Sequence, residues 1–357
     1  MSDGRLRDGP GVVVVTGVSR YLGAHVASRL AADSPFKRVV GLDPFDPPPE
    51  LAGLLAAVEH VRADPGSTPE VLADVGAQVV VHLAVVTTPD PQRGGRAGMK
   101  EQNVIGTMQL LGACQRAPRL RKLVVRSSTA AYGASFRDPA VFTEDTEPRE
   151  TPRGGFARDI LDIEGYVRGF RRRRPDVTVT VLRLAPLMGA TADTTLTRYF
   201  AQPVVPTVFG RDPRLQFLHV DDALEVLHRS VVEDHDGTFN VAGAGVLTLS
   251  QAIRRAGRVP APIVEPGLSA ASELARVLGI ARSGLDQVDL LVHGRVVDTT
   301  KLIKEYGFTP RTTAAAFDDF VRTHADGEVI SPFQLAVAEQ VILDAVRRFR
   351  AALRERA

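Results

Sequence analysis

Thr16-Gly17-Val18-Ser19-Arg20-Tyr21-Leu22-Gly23 joins a β-branched run, Val12–Thr16, to a segment with apolar residues at helical spacing, Tyr21–Ala32. Such a turn suits phosphate chemistry. Its first glycine permits a tight reversal, its last lets helix pack on strand, and the N–H groups of the helix start attract an anion. The middle glycine of a dinucleotide-binding turn is Arg20 here, and the same residues also serve an ordinary βα turn. Asp43 ends the next apolar run, about 20 residues after Gly23, where a carboxylate accepts hydrogen bonds from both ribose hydroxyls of NAD and repels the 2′-phosphate of NADP. An aspartate before Pro44 equally suits a plain turn. NAD is therefore expected over NADP. Arg20 argues the other way, since an arginine in the turn could meet a 2′-phosphate.

Other chemistry-bearing residues read more plainly. His82 and His219 sit in strand-like apolar runs and are expected to be satisfied core histidines. Arg158, Asp159 and Asp162 read as solvated helix charges, as does the Arg171–Arg174 run ahead of Pro175. Cys114 is the single cysteine, which excludes an intramolecular disulfide and a Cys-rich zinc site and fits a reducing compartment, the cytoplasm by default. No metal ligand set is expected.

These residues need a scaffold, and the chain alternates strand and helix. Apolar runs at Val39–Asp43, Glu59–Arg62, Gln78–Leu83, Leu123–Ser127 and Val177–Leu184 follow the first strand, each of the kind buried on both faces of a parallel sheet. Helical patterns at Met99–Ala117 and Phe156–Arg172 lie between them. The expectation is an α/β fold with a doubly wound parallel sheet over residues 1–188 and a smaller lobe over residues 189–357. Within the second part, 214–245 includes a strand, Thr238–Val241, that returns to the sheet, and Gln334–Arg354 reads as a terminal amphipathic helix. The 357 residues carry 44 Lys+Arg against 42 Asp+Glu, a balance of +2 that gives no argument for nucleic acid. The polar first eleven residues and the short apolar run after them predict neither a leader nor a membrane anchor.

Seven segments in order then resemble one family, the extended short-chain dehydrogenases, also called the NAD-dependent epimerase/dehydratase family. Besides the turn and Asp43, Arg62-Ala63-Asp64 resembles its adenine-contacting Gly-Asp step, and Val80-Val81-His82-Leu83-Ala84 its strand end against the cofactor. Asn103-Val104-Ile105-Gly106-Thr107 and Ser127-Ser128-Thr129-Ala130-Ala131-Tyr132-Gly133 are similar to its Asn-Val-x-Gly-Thr helix and Ser-Ser…Tyr-Gly strand. Val181–Leu184, Phe217–Ala223 and Asp298–Lys301 with Gly307–Pro310 continue the match. The resemblance implies a Rossmann domain holding NAD(P), a C-terminal substrate lobe, a nucleotide sugar or other small hydroxylated substrate, and a homodimer through the helices Met99–Ala117 and Phe156–Arg172. Cofactor contacts carry over to Gly17, Ser19, Arg20, Tyr21, Leu22, Gly23, Asp43, Asp64, Leu83, Ala84 and Asn103. Ser128 carries over as the serine on the substrate hydroxyl, and Arg214 and Arg295 as residues that could meet a phosphate.

The family's Tyr-x-x-x-Lys pair, tyrosine to move the proton and lysine to tune it, does not carry over. With Glu164 fixing the register, the pair falls on Phe156 and Ile160. Shifting the helix cannot recover it: the residues four beyond the five tyrosines are His25, Phe136, Phe170, Pro203 and Pro310, and no lysine lies between Lys122 and Lys301. The family's Arg-x-x-Asn reads Arg183-Leu184-Ala185-Pro186, and an expected arginine falls on Leu215. Two functional classes stay open: an NAD-dependent enzyme of the epimerase type, with or without a substitute acid, and a non-catalytic NAD-binding sensor or assembly protein.

Overall fold

The computed structural model describes residues 11–64, 66–148, 152, 155–263 and 285–324, with 340, 344, 347 and 348 beyond them. Most of the expected terminal helix Gln334–Arg354 therefore lies outside the described residues. Seven strands form one parallel sheet: β1 (Val12–Thr16), β2 (Arg38–Asp43), β3 (Glu59–Arg62), β4 (Val79–His82), β5 (Lys122–Ser128), β6 (Thr178–Leu184) and β7 (Gly237–Val241). Their order across the sheet is β7-β6-β5-β4-β1-β2-β3. Order reverses between β1 and β4, whose registers pair Thr16 with His82. The chain leaves these two strands in opposite directions and opens a crevice at their carboxyl ends, where ligands of such sheets bind.

Helices cover both faces because the strands are apolar on both. On one side lie α1 (Tyr21–Ala32) and, from the second half of the chain, α7 (Val220–Val232), packed on Val13, Val15, Leu182 and Phe239. The other side carries α2 (Thr68–Val75), α3 (Gly95–Lys100), α4 (Gly106–Arg116) and α5 (Gly155–Arg173). A third core lies apart from the sheet, between α6 (Thr195–Ala201), α8 (Leu249–Arg255), α9 (Leu285–His293) and α11 (Thr313–His324). There Phe200 meets the Phe317 ring edge-on with centroids 5.0 Å apart, and Phe217 stacks on Phe317 at 5.7 Å. The helix α10 (Thr300–Tyr306) returns to the sheet side through Leu302 and Tyr306.

Three expectations change here. The helix expected at Met99–Ala117 starts earlier and is not uniform: α3 runs through a π-helical turn, Glu101–Ile105, into α4. Such a turn admits one extra residue and re-aims the side chains around it. Arg174 is not a solvated charge. Its guanidinium donates to the carbonyls of Cys114, Gln115, Ala117 and Leu120, at the end of α4 and in the turn that follows it. Asp159 is buried, held by both guanidinium nitrogens of Arg96 at 2.8 and 2.5 Å and by the Asn103 amide. A carboxylate can be buried there because α3 brings it a counter-charge. Arg158 and Asp162 are exposed, as expected.

Candidate functional site

The crevice begins at the β1–α1 turn. Gly17 has φ +79°, and a Cβ there would stand 2.7 Å from the Ala84 nitrogen, so the turn needs glycine both for its backbone and for the approach of the chain after β4. At Gly23 a Cβ would fall 2.0 Å from the Gly17 carbonyl oxygen. Only glycine lets α1 sit this close to β1. Arg20 is the N-cap of α1 and makes no side-chain cap, which leaves the first N–H groups of the helix facing the turn. The Ser19 hydroxyl is buried without a hydrogen-bond partner among the described residues. A buried orphan hydroxyl beside uncapped helix N–H groups is a donor set that suits a pyrophosphate.

From this turn the crevice runs two ways. One branch is a cavity of about 70 Å³ lined by Arg20, Asp43, Pro44, Phe45, Ala63 and Ala84, among others. Asp43 is 3% exposed and accepts from Ser19 N and Phe45 N, each at 3.0 Å, one on each carboxylate oxygen. The aspartate thus builds the turn and keeps lone pairs for a ribose. Arg20 reaches across to Gln102 at 3.2 Å; burial pushes its pKa down, against the pull of Asp43. Asp64 is exposed and receives Ser67 N at its backbone carbonyl, so its neighbour Ala63 is the one lining the cavity.

His82 lies beneath the crossing. Thr107 gives its hydroxyl hydrogen to the Asn103 carbonyl and so accepts from His82 Nε2 at 2.8 Å; Thr16 accepts from Leu83 N and Ala84 N and donates to Nδ1 at 2.9 Å. This chain of bonds fits only the neutral ring. Burial, with help from nearby Arg126, holds its pKa down at about 4. Because the folded value lies below the ordinary 6.5, His82 contributes stability that is complete above pH 6.5 and is lost as pH falls towards 4. The loss should reach about 3 kcal/mol and be absent from His82→Gln in denaturant titrations at pH 7 and pH 4. Equal pH dependence of the two proteins would exclude this role.

The second branch is a cavity of about 110 Å³ between the end of β5 and the outer lobe. Ser128, Phe156, Pro186 and Arg295 line it, with Thr194, Thr195 and Leu290 from α6, its cap and α9. Ser128 accepts from Ala130 N at 3.1 Å, leaving its own hydrogen to be donated. Phe156 is 9% exposed on the wall, and Ile160 is fully buried in the apolar core beneath it. Arg295 donates to the Gly133 carbonyl at 2.6 Å.

The expected residues do not all gather here. Leu22 and Leu83 are core, while Tyr21 reaches Thr191 at 2.9 Å and so ties α1 to the outer lobe. Asn103 spends both amide atoms on Val86 and Asp159, fixing the loop after β4 instead of lining either cavity. Arg214 is exposed, bonded to the Ala140 carbonyl, and lines neither cavity. His219 caps α7 and meets Asp319 at 3.1 Å, a satisfied histidine. Sequence reasoning passed over Arg126, which lines the second cavity. The signal was present: Arg126 is two residues from Ser128 on β5, hence on the same face, and interrupts the apolar run Leu123–Val125 just before Ser127.

Comparison with known proteins agrees with this geometry. Residues 13–242 match the NAD dependent epimerase/dehydratase family. An uncharacterised protein of Mycobacterium tuberculosis is 44% identical over 329 residues, 91% of this chain and 87% of its own length. UDP-glucose 4-epimerase of Thermotoga maritima, solved with UDP-glucose, superposes with a TM-score of 0.67 at 17% identity, covering 88% of this chain and 98% of its own. The UDP-glucose 4-epimerase of Bifidobacterium longum, in complex with NAD+ and UDP, gives 0.66 at 16% identity over 88% of this chain and 98% of its own. The crevice at the sheet's switch point, the two glycines that let α1 reach it and the match over residues 13–242 lead to one conclusion: this chain belongs to the NAD-dependent epimerase/dehydratase family.

Proposed function

We propose that the chain binds NAD in this crevice and does not perform the proton transfer of a nucleotide-sugar epimerase. One observation carries the reading: beside a dinucleotide cradle lies a second cavity whose wall is Phe156, with Ile160 sealed in the core behind it. The turn from Gly17 to Gly23, with Ser19 and the start of α1, takes the pyrophosphate. Asp43 takes a ribose, Ala63 and the backbone at Asp64 border the adenine, and Ala84 faces the cradle from the other side. Bound there, NAD supplies a hydride acceptor. The chain supplies Ser128 and Arg295 on the side of a nucleotide sugar or other small hydroxylated ligand. The relatives solved with UDP-glucose, and with NAD+ and UDP, support that ligand class.

Calorimetric titration tests the cofactor. NADH should bind at least tenfold tighter than NADPH, about 1.4 kcal/mol, because a carboxylate facing a 2′-phosphate costs more than Arg20, half-buried and bonded to Gln102, returns. Asp43→Asn should narrow the gap, and tighter binding of NADPH to the unmutated protein would overturn the assignment. Among the described residues no helix is long and apolar enough to cross a membrane; the cytoplasmic location is proposed on the single Cys114.

A homodimer is part of the same proposal, on a revised surface. Leu110, Leu111, Ile163 and Val167, expected at the interface, are each at most 4% exposed within one chain. They face the chain's own sheet because both helices spend their main apolar stripe there. What remains outside is Ile105, Met108 and Tyr166, at 40, 43 and 37% exposure. Light scattering should return twice the 38.4 kDa chain mass at micromolar protein, and Met108→Glu should halve it. A monomer before mutation rejects the dimer.

A further inference from the structure

Arg126 does not line the first cavity, yet it is the most unusual group in the second. Its Nη1 donates to the Val85 carbonyl at 3.1 Å, and among the described residues no carboxylate pairs with it. Among the described residues the charge that acts on it is of its own sign, Arg20 from the turn, and His82 nearby is held neutral. Desolvation accordingly pulls its pKa down to about 10. A half-buried guanidinium in this position sheds part of its water without gaining an acid among the described residues, an arrangement that an anion would complete.

The cavity around it is built for such an anion. Arg295 lines it too, among the described residues no Asp or Glu does, and Ser128, Thr194 and Thr195 add hydroxyls. Beside Thr87 and Ser127, the rest of the lining is apolar, chiefly Phe156, Leu184, Pro186, Leu187, Leu196 and Leu290. Apolar walls with a few convergent polar groups fix the orientation of a small ligand, and a planar guanidinium fork matches a carboxylate or phosphate with two parallel bonds.

We propose that Arg126, with Arg295, makes this cavity a receptor for an oxyanion, carried by a small hydroxylated molecule whose hydroxyl end meets Ser128 and the two threonines. Two sources share this chemistry, a separate carboxylate- or phosphate-bearing ligand and the pyrophosphate of the dinucleotide itself. The inference deepens the function proposed above, and it depends on NAD binding only where the pyrophosphate is the source.

The test is calorimetry on the full chain at constant ionic strength, with inorganic phosphate, D-glucuronate and neutral D-glucose as probes, on free and NADH-saturated protein, for the unmutated protein and Arg126→Gln. A separate ligand predicts that phosphate or glucuronate binds the NADH-saturated protein, that glucose does not match it, and that Arg126→Gln weakens the anion at least tenfold with NADH affinity unchanged. The pyrophosphate as source predicts that NADH affinity falls at least tenfold in Arg126→Gln while the saturated protein takes up neither anion. The proposal is overturned if a folded Arg126→Gln, checked by circular dichroism, binds NADH and both anions as the unmutated protein does. It is equally overturned if the unmutated protein binds neither anion, free or saturated, and Arg126→Gln leaves NADH untouched. If NADH fails to bind the unmutated protein, the cofactor reading falls, and the anion titrations of the free protein still decide the role of Arg126. Should Arg126→Gln not fold, Arg126→Lys replaces it: the charge stays, the fork is lost, and the same affinity must still drop several-fold.

Discussion

Purified protein incubated with NAD and UDP-galactose should return the substrate unepimerised. General acid–base catalysis by a positioned group is worth about 10²–10⁴ in rate, and the second dyad position would have added the tuning of that group. Phe156 offers the shape of a tyrosine without its hydroxyl, and Ile160 is sealed in the core. No described carboxyl or phenol lines the cavity to take over. Asp159 is locked by Arg96 and Asn103, and Asp162 points to solvent. Tyr132 is fully buried, gives its hydrogen towards Asn240 and Thr143, and accepts from Arg183; burial raises its pKa against the opposing pull of Arg183. Phe156→Tyr with Ile160→Lys separates the two remaining causes. If only the dyad has gone, UDP-sugar added to the NAD-loaded double variant should produce NADH-like absorbance. If the cavity shaped by Pro186 no longer accepts the sugar, the variant will bind NAD and stay silent. Robust epimerisation by the unmutated protein, abolished by Ser128→Ala, rejects the non-catalytic reading.

The legibility of this chain in its sequence follows the range of the interactions involved. The sheet could be read because each strand is a short apolar run and each connection carries its own turn or helix pattern, as in Val12–Thr16 followed by Gly17 and Tyr21–Ala32. Phe156 and Ile160 could be placed because a helix fixes spacing and Glu164 fixes phase. Side chains whose role depends on a distant partner were misread. Asp159 looked solvated because Arg96 is 63 residues away, and Arg174 because the carbonyls it gathers belong to the end of another helix. Asn103 matched a motif, but a π-helical turn and the loop at Val86 decide which way its amide points. Leu110, Leu111, Ile163 and Val167 were misread as interface residues for a related reason: helical spacing marks an apolar stripe without saying whether the sheet or a second copy covers it.

The last expected result concerns the glutamate that fixed the register. Glu164 is buried and accepts from Ser127 Oγ at 2.5 Å, from Arg183 Nε at 2.9 Å and from Arg183 Nη2 at 2.7 Å. Arg183 spends its remaining nitrogen on the Tyr132 hydroxyl and the Glu144 carbonyl, with its guanidinium carbon 4.8 Å from the Tyr132 ring centre. The pair therefore ties α5, which carries Phe156, to β5, which carries Ser128, and to β6. Removing one member leaves the other charged, buried and without its partner, and such a loss typically costs about 3–5 kcal/mol. Glu164→Leu and Arg183→Met should each fall in that range by chemical denaturation. The double variant should cost less than either single one, since an apolar pair of similar volume leaves no orphan charge. Additive costs in this cycle would mean that the two residues act independently and that the link between helix and strand lies elsewhere. With coupling, the single variants should also loosen the cavity, because the wall at Phe156 and the hydroxyl of Ser128 are positioned through the elements that this pair joins.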